Sequence, residues 1–148
     1  MATEKNSLTE IGNKCNPRGV ILRESPIFVK TYDLLLWIQN HTGHYPKHER
    51  FRLAKRIEDT AFEFYDQILR AALVEEKAHE LKEGELLLKK LTTLCRIAKD
   101  SNYMTPNQYL FVSEKLVELA RLIHAWKKRE NQPRSEEHTS ELQSPNTK

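Results

Sequence analysis

The chain has 148 residues, of which 30% are charged, 39% are apolar and only four are glycine. A single domain of this length can bury a real core without disulfides or metals. The scarcity of glycine fits a soluble helical bundle and disfavours a glycine-rich β or Rossmann fold. A net charge of +3 excludes little, because the distribution of charge carries more information than its sum. Cys15 and Cys95 lie far apart, and the opening MATEKNSLTE lacks the apolar core of a secretory signal. Two free thiols in a reducing cytoplasm are therefore expected. The longest apolar run, Leu34 to Ile38, is too short to cross a bilayer, so no membrane partner is expected.

Residues 1–24 show no sustained periodicity and contain Gly12, Pro17 and Gly19. They read as a flexible extension. Residues 25–130 read as a four-helix bundle, and residues 131–148 as a disordered tail. Within the tail, Arg134 to Ser144 resemble the translation of a common short-read sequencing adapter; a solvated natural tail is the alternative. Removing residues 134–148 takes out two cations and three acids, which raises the net charge from +3 to +4.

The first helix is predicted from Ser25-Pro26, a good N-cap followed by a proline suited to the first position, to about Asn40. Its Ile27, Phe28, Leu34, Leu35, Leu36, Trp37 and Ile38 point in almost every direction, as in a helix surrounded by protein. His41 to Pro46 predicts a turn. A second helix follows from about Lys47 to Glu76, with Phe51, Ile57, Ala61, Phe64, Tyr65, Ile68 and Ala72 inward. The third spans roughly His79 to Lys99, with Leu87, Leu88, Leu91, Leu94, Cys95 and Ala98 on one side. Gly84 weakens its first turns and places its start nearer Glu85.

The fourth helix has the clearest start, because Thr105-Pro106-Asn107-Gln108 spells a capping box with proline at the first position. Tyr109, Val112, Leu116, Leu119, Ile123 and Trp126 form its inward stripe. The short connections predict an antiparallel up-down bundle. Leu86 and Ile97 on the third helix, and Phe111 and Leu122 on the fourth, lie off the main stripes. Together they suggest a second buried surface, an interface between subunits.

Neither a phosphate-cradling loop nor a nucleophile elbow nor a metalloprotease motif is present, so catalysis is not expected. His41, His44 and His48 are interrupted by Gly43 and Pro46, and no nearby cysteine or well-placed carboxylate completes a ligand set. No metal and no cofactor are expected. Asp59 and Glu63 share a helical face with Arg56 one turn earlier, which an exposed ion pair explains. The start of the second helix is more informative. Lys47, Arg50, Arg52, Lys55 and Arg56 fall within ten residues, with Glu49 the single acid among them. Cations in a first turn oppose the helix dipole, whereas phosphate oxygens would suit them; a solvated basic face is the alternative. Lys89, Arg96 and Lys99 add positive charge to the third helix.

TYDLLLWI (Thr31 to Ile38), YPKHERFRLAKRI (Tyr45 to Ile57), LCRIAKD (Leu94 to Asp100) and QYLFVSEKLVELARLIHAW (Gln108 to Trp126) occur in this order. In this the chain resembles the accessory variability determinant family of diversity-generating retroelements. The resemblance covers most of residues 31–128. It implies a four-helix subunit assembling into a ring-shaped homo-oligomer, typically a pentamer with a positive surface. It also implies an accessory protein that binds the element's reverse transcriptase and its template RNA, or an RNA–cDNA hybrid, to support mutagenic cDNA synthesis. Lys47, Arg50 and Arg56 match the family's pattern on the second helix, and Arg96 and Lys99 its pattern on the third. The glycines usual near the end of the family's fourth helix are replaced here by Ala120, His124 and Ala125. Glycines would let backbones approach closely there, so the subunit count is the property this departure bears on. Four-helix proteins encoded in ribosomal RNA intervening sequences, and a purely structural helical oligomer, are the other readings.

Overall fold

The computed structural model describes residues 25–132. The expectations for residues 1–24 and for the tail beyond Gln132 lie outside the described residues. Within them the fold is four α-helices and a short 3-10 turn, with no strand. The helices are α1 (Pro26–Thr42), α2 (Leu53–Leu73), α3 (Ala78–Asp100) and α4 (Pro106–Glu130). Helix α1 packs on α2 and α4, and α3 packs on the same two helices from the other side. The ring of contacts closes around one core, in which Leu34, Ile38, Ile57, Phe64, Ile68, Leu81, Leu91, Leu119 and Ile123 are essentially inaccessible.

Proline opens α1 as expected, but the Ser25 hydroxyl makes no capping bond. The Ser25 carbonyl instead accepts from the amides of Phe28 and Val29 at 3.1 and 3.2 Å. The helix runs two residues past Asn40 because Thr42 is buried, with its hydroxyl 2.5 Å from the Glu58 carboxylate on α2. Val29, Tyr32 and Leu36 are exposed in the single chain, so α1 is apolar all round without being surrounded by its own subunit.

Helix α2 ends where the Lys77 ammonium donates to the carbonyls of Ala71 and Val74, at 2.7 and 2.6 Å. A cation there satisfies orphan acceptors and complements the helix dipole. The buried Gln67 amide on α2 donates to the Glu80 carbonyl at 3.0 Å and to its carboxylate, joining the end of α2 to the start of α3.

Gly84 does not delay the start of α3, contrary to the sequence expectation. The helix begins at Ala78, and Gly84 is buried within it. A Cβ at this position would lie 2.6 Å from Ile123 Cδ1 of α4. A side chain there would have to displace the Cδ1 end of Ile123, so close packing against α4 offsets the helix propensity that glycine gives up. At the other end of α3, Asn102 adopts φ 64°. The amides of Asn102 and Tyr103 then donate back to Lys99 and Ala98 at 3.0 and 2.8 Å, the pattern of a Schellman cap. The capping box of α4 forms in full: Gln108 N donates to the Thr105 hydroxyl at 3.1 Å, and Thr105 N to the Gln108 side-chain carbonyl at 2.9 Å.

Candidate nucleic-acid interface

The basic segment Lys47 to Arg56 does not form one continuous helix. Lys47–Glu49 make a 3-10 turn, and at Arg52 the backbone takes φ −113° and ψ −100° before α2 begins at Leu53. Lys47, Arg50 and Arg52 therefore precede α2, and only Lys55 and Arg56 stand in its first turns. This corrects the expectation that all five cations oppose one helix dipole, whose field is felt only near the first turn. It also removes Phe51 from the inward arc: Phe51 is 84% exposed in the turn, and the buried series starts at Ala54.

Glu49 is the residue the sequence reading passed over. Its side chain is only 10% exposed, and its carboxylate accepts from the Leu53 amide at 3.4 Å, close to where a cap would sit. Around the other oxygen lie Arg52 at 3.6 Å, His48 at 3.8 Å and the Tyr103 hydroxyl at 3.4 Å. The packing of α2 on α3 carries Tyr103, beyond the end of α3, to the start of α2. Only the tertiary fold brings these residues together, since they are 54 positions apart.

All five predicted cations of this segment are exposed. Lys55 pairs with Asp59 at 2.6 Å, which raises its pKa, chiefly through that hydrogen bond. The partner of Asp59 is thus Lys55 and not Arg56. Among the described residues, Lys47, Arg50, Arg56 and Lys89 make no ion pair. Arg52, Leu53 and Arg56 line a notch of about 400 Å³ together with Glu49, Leu94, Ile97, Ser101 and Tyr103.

The cations of α3 are placed differently. Arg96 and Lys99 lie within 3.9 and 3.7 Å of the Asp100 carboxylate. The Lys99 ammonium sits 4.7 Å from the centroid of Tyr109 on α4. Lys89 is ten residues before Lys99, roughly 15 Å along the helix. It is Ile97, not Arg96 or Lys99, that joins Arg52 and Arg56 at the notch.

Of the four expected interface residues, Leu86 and Ile97 are exposed on α3. Phe111 is exposed as well, with its ring 5.6 Å from Trp37 of α1. Leu122 is half-buried against the core, in a groove with Phe28 and Trp126, so α4 itself uses this residue for packing within the subunit. The sequence reading missed exposed Val29, Tyr32, Phe62, Leu73, Leu110 and Val117. Their signal was available: Val29, Tyr32 and Leu36 recur at helical spacing, as do Leu110 and Val117.

His41 stacks on Trp37 at 4.9 Å and lies 2.9 Å from the Tyr45 hydroxyl. Burial, with a smaller contribution from His44, lowers its pKa below 6.5. His44 instead bonds the Asn40 carbonyl at 2.8 Å. Among the described residues no group of three or more His, Cys, Asp or Glu is placed to hold a metal ion, and no helix is long and apolar enough to cross a membrane.

Residues 27–130 match the family model described as bAvd-like. Neither the curated proteins nor the solved structures gave a match to this chain.

Proposed function

This chain belongs to the bAvd-like family, and from that premise we propose that it is a non-catalytic accessory protein of a diversity-generating retroelement. It binds the element's reverse transcriptase together with template RNA, or an RNA–cDNA hybrid, and so supports mutagenic cDNA synthesis. The neighbouring helices run antiparallel in an up-down bundle, and the subunits assemble into a ring, most simply a pentamer. The protein acts in the cytoplasm.

The observation that carries the RNA reading is the exposed cluster at the start of α2, in which Lys47, Arg50 and Arg56 have no acidic partner among the described residues. Such side chains are available to phosphate oxygens, which dominate affinity for nucleic acid. A ring would repeat the cluster, so that weak single contacts add through effective concentration.

The test is the triple reversal of Arg50, Arg52 and Arg56 to glutamate. RNA binding and cDNA synthesis are expected to be lost, with helicity and oligomer mass unchanged. Neutralising the same three residues as glutamine should make the salt dependence of log K shallower by about 2, from roughly 0.7 per phosphate on single strands. A glutamate variant that binds RNA with an unchanged salt slope would remove this segment from the interface and leave Lys89, Arg96 and Lys99 to be reversed next.

A further inference from the structure

A carboxylate at the centre of a phosphate-binding surface is out of place, because it repels the backbone that the surrounding cations attract. Glu49 holds that position: its side chain is nine-tenths buried, and it lines the notch beside Arg52 and Arg56. Its neighbours leave it weakly bonded. The Leu53 amide and the Tyr103 hydroxyl are each 3.4 Å away, and Arg52 and His48 are farther. These are long contacts for a carboxylate, whose good hydrogen bonds are under 3 Å. Leu53, Leu94 and Ile97 give the notch apolar lining, with Ser101 beside them, and Ile97 is exposed.

We propose that this notch receives one unpaired guanine base of the bound RNA; the inference rests on the RNA reading above. A nearly buried carboxylate can only accept hydrogen bonds. Guanine alone among the four bases presents two adjacent donors, N1–H and the exocyclic amine, on its Watson–Crick edge, and these match the two oxygens of one carboxylate. Leu94 and Ile97 provide the apolar surface on which the flat ring rests. Arg52 and Arg56 line the notch and are exposed, available to the phosphates flanking a splayed-out nucleotide. Unpaired bases in loops and single strands are the parts of RNA that proteins read in this way.

The experiment uses the full chain and four fluorescent nonamers, each of eight uridines around a central guanosine, inosine, adenosine or uridine, titrated at fixed low salt. The guanosine probe is expected to bind roughly tenfold tighter than the uridine probe, the scale of one bidentate base contact. Inosine, which keeps N1–H and lacks the amine, should fall between them. Glu49→Gln should abolish the preference while leaving the salt slope intact, because the phosphate contacts remain. Ile97→Trp, which fills the notch from an exposed position without touching the core, should do the same. Equal binding of all four probes, or a guanine preference that survives in Glu49→Gln, overturns the base pocket and leaves the RNA reading standing. If no probe binds even at low salt, the RNA reading falls and this proposal falls with it.

Discussion

Gly84 shows how one side chain's absence sets the distance between two helices. Its missing Cβ makes room for Ile123 of α4, and Phe64 of α2 lies just beyond at 3.7 Å from the same point. Gly84→Ala gains helix propensity of up to about 1 kcal/mol but drives a methyl into a fully buried isoleucine. Overpacking of this kind costs about 1–3 kcal/mol, so urea unfolding should show a net loss of stability. Ile123→Val removes the clashing methyl, and the double variant should be more stable than the sum of the two single effects, since contacting residues couple. Additive effects would mean that the two residues do not meet. Cys95 supplies a second test at this scale. It is fully buried, and burial pushes its thiol pKa up to about 12. A raised folded-state pKa for an acid means that the folded protein holds the proton more tightly than the unfolded one. The stabilisation is therefore complete below the unfolded value near 9 and is lost as pH rises toward 12. In a Cys15→Ser background, Cys95 should resist a disulfide reagent at pH 8 until the protein unfolds; rapid labelling of the native protein would contradict its burial.

At the scale of the helix, the ends show which sequence signals were sufficient. Thr105 and Gln108 were legible as a capping box because all its partners lie within four residues, and both bonds are present. Thr105→Ala should cost about 1 kcal/mol, read as a lower midpoint in thermal unfolding. A loss below a few tenths would mean that the box contributes only geometry. The start of α2 differs from its sequence expectation for the complementary reason. Nothing local stops a helix from beginning at Lys47, and the break at Arg52 comes with Glu49 turned inward, where Tyr103 from the far end of α3 meets it. The end of α3 carried a usable signal that went unread, for asparagine is among the few residues that tolerate the left-handed conformation Asn102 adopts.

For the whole molecule, exposed apolar residues occur on all four helices. They are Val29, Tyr32 and Leu36 on α1, Phe62 and Leu73 on α2, Leu86 on α3, and Leu110, Phe111 and Val117 on α4, besides Ile97 at the notch. On the ring proposed above, such side chains would be covered by neighbouring subunits through head-to-tail contacts, which close when the rotation between subunits permits. Light scattering at micromolar concentration should give several times the chain mass of 17.4 kDa, and a monomer would refute assembly. Leu36→Glu and Leu110→Glu should each shift the mass toward monomer while leaving helicity intact, because an interface rejects an unpaired charge that solvent accepts. Leu122→Glu is the poorer probe, since that side chain already packs against the core of its own subunit.

The sequence by itself determined the helical class, the number of helices, most inward stripes and the cap of α4. Each of these follows from relations between residues three or four apart, which the helix converts directly into a shared face or a closed hydrogen bond. What only the tertiary structure decided involves groups distant along the chain. The room around position 84 is set by Ile123, and the environment of Glu49 by Tyr103. The assignment of Leu122 is set by Phe28 and Trp126 around the same groove. Burial and charge pairing depend on which helix lies opposite, and a periodic sequence specifies the face a helix buries without specifying the side chains that will meet it there.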